Sequence, residues 1–231
     1  MAEEFLKNLK KLEFSLRQVK KQTKDWLQSM AYDEIIEAIK KDKRYLSALL
    51  SISYEKATET AWRAIHLAGK AIGQIAVYDF EEARGQIQRL IWNATDESGT
   101  IPWTVPEIMG EAIRENPKPF EDIVPIIIGY SHSETEDNIF LAGVLYALGR
   151  IGEAHPQYIS DYVHVLVKQG LSHKDPEVVA NAIMAAKRLN IPGVDTEPLL
   201  HRKEKVKVYY ADRLMTITIG ELTKELLTEN G

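Results

Sequence analysis

The segment Asp137 to Gly152, DNIFLAGVLYALGRIG, constrains the fold more than any other stretch, because its pattern returns on both sides of it. Apolar residues Ile139, Phe140, Val144, Leu145, Leu148 and Ile151 fall one, three and four positions apart, one broad stripe of a 3.6-residue helix. Ala142, Gly143 and Ala147 stand between them and let a neighbouring helix come close, so the spacing predicts a packing helix. Moving on by 38 positions gives DPEVVANAIMAAKRL, with Asp175 on Asp137, Ala185 on Ala147, Arg188 on Arg150 and Leu189 on Ile151. Moving back by 80 sets Ala61, Ala64, Ile65, Ala68, Gly69 and Ala71 on Leu141, Val144, Leu145, Leu148, Gly149 and Ile151.

Eighty is close to two periods, and the copy between them falls at Val105 to Ile113, where Val105, Ile108, Met109, Ala112 and Ile113 keep helical spacing. An amphipathic stretch precedes each copy: Arg44 to Ser53, Phe80 to Trp92, Phe120 to Tyr130 and Pro156 to Gln169. One helix pair cannot bury both of its apolar faces, but pairs stacked at a fixed period can. The expectation is therefore an all-α chain, a right-handed α-solenoid of about four helix pairs. Ile123 to Ile128 is apolar nearly all round and predicts the most buried helix of the array.

DPEVVANAIMAAKRL and GVLYALGRIGEA resemble the second helix of a HEAT-type repeat, of the shorter variety. The segment WNATDESGTIPWTVPEIMGE, Trp92 to Glu111, is similar to the signature of a family of HEAT-repeat proteins of about this length. That resemblance covers most of the chain. It implies a fold and carries no established activity.

Residues 1–42 read as N-terminal capping helices, 43–192 as the array, and 193–231 as a C-terminal cap. Within the first, residues 3–30 predict one helix whose Phe5, Leu9, Leu12, Leu16, Val19, Thr23, Trp26 and Met30 alternate at four and three. Such a seam makes either a cover for the first pair or a coiled-coil homodimer. A short helix around Ile35, Ile36 and Ile39 follows. In the last region Val206, Val208 and Tyr210 alternate, as do Met215, Ile217 and Ile219, which predicts a β-hairpin. Thr218 to Glu221 reads as a capping box opening a final helix. A lone hairpin is marginal in water, so it must dock on the last pair or on a second chain.

Composition excludes several functions. The chain has no cysteine, which removes disulfides, thiolate metal sites and a cysteine nucleophile. A net charge of −5 argues against nucleic acid as a partner, since phosphate binding rests on Lys and Arg. No apolar run is long enough to cross a bilayer, and the charged first residues lack the apolar core of a secretory signal, so the expected location is cytoplasmic. No phosphate-binding glycine loop, HExxH or GxSxG is present, and the histidines are scattered. His66 reads as a hydrogen-bonded packing residue, and Glu153 with His155 as half a metal pair at best. No catalytic residue, metal site or cofactor is assigned.

The connection Asn93 to Trp103 is long for a turn within a pair, and loops of irregular length in repeat proteins often carry binding. Trp92, Asp96, Glu97, Ser98, Trp103 and Glu107 are thus the candidate partner-binding residues. The tryptophans would anchor a partner, and Asp96, Glu97, Glu107 and Glu111 could instead hold a hard cation or serve as an acid or base. The structural alternative has Asp96 and Ser98 capping helices, and both tryptophans filling the core between pairs. The leading expectation is a non-catalytic interaction or scaffold protein. The alternative is a ligand-binding or enzymatic protein, bilin-lyase-like or handling nucleic-acid bases, with its site at residues 92–107.

Overall fold

The computed structural model describes residues 15–54, 56–95, 103–132 and 138–228. Within them the chain is mostly helical, with one small antiparallel sheet near its C-terminal end. The helices are α1 (Leu16–Gln28), α2 (Tyr32–Lys41), α3 (Arg44–Ile52), α4 (Glu59–Tyr78), α5 (Phe80–Thr95) and α6 (Val105–Glu115). They continue with α7 (Val124–Gly129), α8 (Leu141–Ala154), α9 (Asp161–Leu171), α10 (Pro176–Arg188), α11 (Glu197–Leu200) and α12 (Ile219–Thr223). Strands β1 (Lys205–Tyr210) and β2 (Arg213–Thr218) lie between the last two.

Helix ends follow local chemistry. Ser15 and Gln18 form a capping box that opens α1, Thr58 caps α4, and Asp175 caps α10 by accepting from the Glu177 amide at 2.8 Å. α10 stops where Asn190 takes a left-handed φ of 50°, with Ile191 N–H donating to the Ala186 carbonyl and Asn190 N–H to that of Lys187. This is the Schellman arrangement, which satisfies the last carbonyls. Met30 ends α1 in the same way, with φ 58°.

The longest contacts run α4 to α6, α6 to α8 and α8 to α10, so these helices lie side by side in chain order. Small residues set their separation: a Cβ on Gly110 of α6 would fall 2.6 Å from Cα of Ala147 on α8. Every residue from Val105 to Ile113 is buried, as is Ala142 to Gly149, since these helices have neighbours on both sides. α3 and α5 pack on α4, and α9 packs on α10.

The Ile123 to Ile128 expectation is overturned. Lys118–Ile123 is a 3-10 segment with Phe120 outside helical φ/ψ, α7 is only six residues long, and Ile126 is 37% exposed. Pro119 and Pro125 remove two backbone donors, so the stretch never becomes a long helix buried between two others.

At the N-terminal end, α1 lies on α3 and α4. Val19, Thr23 and Leu27 are buried while Leu16 and Met30 are exposed, and the Thr23 hydroxyl donates back to the Val19 carbonyl at 2.8 Å. Trp26 stacks on Tyr45 of α3 with 5.6 Å between centroids. Of the expected seam, Phe5, Leu9 and Leu12 lie outside the described residues.

The hairpin joins Tyr210 to Arg213 through Ala211 and Asp212, whose φ values are 49° and 62°. Positive φ at both central residues marks the turn that matches strand twist. One inward residue differs from expectation: Tyr209 is buried and Tyr210 is 42% exposed, because the sheet packs Tyr209 against Trp62 of α4. The hairpin therefore touches α10 and also reaches back to the first pair. Thr218 and Glu221 form the expected capping box.

Candidate binding groove and buried ion pairs

Before α4, the Trp62 indole N–H donates to the Lys56 carbonyl at 3.1 Å and fixes that residue at the helix entrance. Lys56 Nζ then lies 2.5 Å from Glu107 Oε1 on α6 and 3.8 Å from Glu177 Oε1 on α10. Glu107 is 1% exposed, and its Oε2 has no hydrogen-bond partner among the described residues. It fits only because α8 carries Gly143 opposite, where a Cβ would fall 2.5 Å from that Oε2. Burial pushes the Glu107 carboxyl above the usual range, and the Lys56 ammonium offsets this only in part. For Lys56, burial would lower the pKa, but the attraction of Glu107 and Glu177 outweighs it and keeps the group charged.

Lys56 also lines a groove of about 930 Å³ bounded by the entrance to α4, Trp103, Ile139, the start of α10 and β1. Trp103, Tyr54 and Ile139 on its walls are 58%, 47% and 44% exposed, a clustering unlike scattered surface apolar residues. β1 contributes Lys205 and Lys207, the latter donating to the Ala57 carbonyl at 3.1 Å.

The backbone of β1 matters too. The pair Tyr210 and Arg213 closes the turn, so hydrogen-bonded pairs recur at Val208 and Val206. Lys205 and Lys207 consequently turn their N–H and C=O away from β2. Among the described residues no backbone group pairs with this edge.

A second buried centre lies further along the helices. Glu111, 2% exposed, accepts from Tyr146 Oη at 2.7 Å and Arg150 Nε at 2.6 Å through Oε1, while His66 Nδ1 stands 3.1 Å from Oε2. Burial alone would raise its pKa, yet the His66 and Arg150 partners hold it well below the usual carboxylate range. His66 is thus the hydrogen-bonded packing residue the sequence suggests. Burial drives the Tyr146 hydroxyl well above its ordinary value. Further in, Trp62 contacts Tyr146 at 5.3 Å and Tyr209 at 5.5 Å between centroids.

Of the candidate residues, the structure brings Trp103 to the groove and sets Glu107 behind it through Lys56. Trp92 is 72% exposed on α5 and does not line that groove. Asp96, Glu97 and Ser98 lie outside the described residues. The alternative in which both tryptophans fill the core is overturned, because both are exposed, whereas Trp62 is buried. Glu107 and Glu111 each have their own basic partner, and among the described residues, which leave out Asp96 and Glu97, no group of three potential metal ligands gathers. His155 is engaged by the Arg114 carbonyl at 2.9 Å.

Lys56, Trp62, Tyr146 and Tyr209 escaped the sequence reading. Nothing local marks them, since they meet across four separate elements. The paired arginines Arg150 and Arg188, one period apart, were the available signal for the second centre. No described helix is long and apolar enough to cross a membrane. Compared with family models, curated proteins and solved structures, the chain finds no match.

Proposed function

We propose that this chain is a non-catalytic binding protein of the short HEAT-repeat type, and that it takes an extended segment of a protein partner into the groove between Trp103 and β1. The side-by-side order of α4, α6, α8 and α10 supports reading the helices as a right-handed solenoid, and a cytoplasmic location goes with that reading.

The observation that carries the proposal is the conjunction of exposed apolar walls with an unpaired strand edge at Lys205 and Lys207. A strand edge gives affinity to an extended peptide through main-chain hydrogen bonds, and neighbouring pockets read its side chains. The lysines favour a segment with an acidic residue beside an apolar one.

A peptide-display selection against the native chain tests this. Selected peptides should carry such a pair, should slow hydrogen exchange of the Lys205 and Lys207 amides, and should bind at least tenfold more weakly to Trp103→Ala. Peptides that leave those amides unprotected and bind Trp103→Ala equally well would sink it.

A second reading, a small-molecule site in the same groove, is favoured by the unbonded Glu107 Oε2 behind Lys56. It requires a ligand whose binding is lost in Glu107→Gln.

A further inference from the structure

Arg150 and Arg188 occupy equivalent places one period apart, on α8 and α10. Arg150 finds its counter-charge 39 positions earlier in the chain, where Glu111 accepts from Nε at 2.6 Å and from Nη2 at 3.2 Å. The same step back from Arg188 arrives at Gly149. A Cβ there would fall 3.0 Å from Cα of Ala185, so the close approach of α8 and α10 leaves no room for an acid.

Arg188 instead lays its guanidinium over the Tyr146 ring, 5.5 Å from the centroid. Its Nη1 is buried with no hydrogen-bond partner, and among the described residues it has no ion pair. Arg188 as a whole is part-buried, and one of its nitrogens is withheld from water without a partner, which is costly unless something binds the group.

Arg188 also faces a cavity of about 300 Å³ whose other walls include His66, Arg150, Tyr209 and Asp212. The acids nearest to it already have donors. Glu111 takes Tyr146, Arg150 and His66, and Asp212 takes the hydroxyls of Tyr209 and Tyr32 and lies 3.6 Å from Arg63 Nε. Glu153 is paired to Arg150 at 2.9 Å. Arg188 is the cation left over.

We propose that this cavity binds the oxyanion group, carboxylate or phosphate, of a small molecule, with the Arg188 guanidinium as its counter-charge. A planar guanidinium presents two parallel N–H donors to such a group, and the volume suits a ligand of a few heavy atoms.

The test is thermal unfolding of the native chain with inorganic phosphate, succinate or chloride at matched ionic strength. Phosphate or succinate should raise the midpoint saturably, by several degrees at about a hundred times its dissociation constant, whereas chloride should not. Which of the two acts distinguishes a phosphate from a carboxylate ligand. Arg188→Met should fold with a midpoint close to native and lose the response. In the native chain the Arg188 Nε–H resonance, assigned through Arg188→Lys, should move with the same saturation curve, which keeps the idea testable should the Met variant fail to fold. No oxyanion response beyond chloride, an undiminished response in Arg188→Met, or an unmoved Arg188 resonance overturns it.

Discussion

The indole of Trp62 on α4 lies flat on the ring of Tyr209 on β1, with 5.5 Å between centroids and 9° between planes. This stack fastens the C-terminal hairpin to the first long helix of the row, and Leu214 N–H donating to Glu59 Oε2 at 3.0 Å reinforces it. Removing the stack should therefore loosen both ends of the described chain at once. Tyr209→Ala is expected to cost about 3–5 kcal/mol of folding stability and to shift Trp62 fluorescence to the red. Tyr209→Phe, which loses only the bond to Asp212, should cost about 1 kcal/mol. Equilibrium denaturation followed by fluorescence checks both.

Glu111 is the shared acid of three donors, and removing it leaves the part-buried Arg150 only the more exposed Glu153 and leaves the Tyr146 hydroxyl without its acceptor. Glu111→Ala should lose about 3 kcal/mol, the lower end of the penalty for removing one partner of a buried pair, because Arg150 keeps Glu153. Its folded-state pKa lies below that of the unfolded chain, so the stability it contributes is complete above about pH 4.3 and is lost as the pH falls below that value. An acid titration of native and Glu111→Gln chains by circular dichroism should show the native midpoint falling more steeply below about pH 4.

Glycine substitutions should change sign with position. Alanine is the better helix former by about 1 kcal/mol, so Gly85→Ala on α5, with open space around it, should stabilise by up to that amount. Gly110→Ala must push α6 from the backbone of Ala147, and Gly143→Ala must displace the Glu107 carboxylate. Overpacking of this kind costs about 1–3 kcal/mol, which exceeds the propensity gain. Thermal melts of the three variants read the signs directly.

The hairpin turn holds Ala211 at φ 49°, a region that costs a residue with a Cβ about 1–2 kcal/mol. Ala211→Gly should remove part of that cost and raise the melting temperature, while Asp212→Gly should lower it by freeing the hydroxyls of Tyr32 and Tyr209.

Local order was legible in the sequence. The 3.6 periodicity locates α3 to α6 and α8 to α10, Thr218 announces its cap, and the alternation at Val206 and Ile217 predicts the hairpin. One signal misled, the apolar run Ile123 to Ile128 with Pro125 inside it; the tryptophans at 92 and 103 both face outward, and Trp103 lines the groove while Trp92 does not. Local pattern reports that a residue is apolar, and only packing assigns it a neighbour.

What the sequence determined by itself was the set of helices, their near-equal spacing, and the small residues that let α6 and α8 touch, because each depends on a few neighbouring positions. Tertiary structure alone decided that Tyr209 rather than Tyr210 turns inward, that Lys56 and Glu107 meet, and that Arg188 stands opposite Gly149 without an acid. Those outcomes depend on contacts between elements far apart in the chain, α4 with β1, α6 with the entrance to α4, and α8 with α10, and no single stretch of chain encodes them.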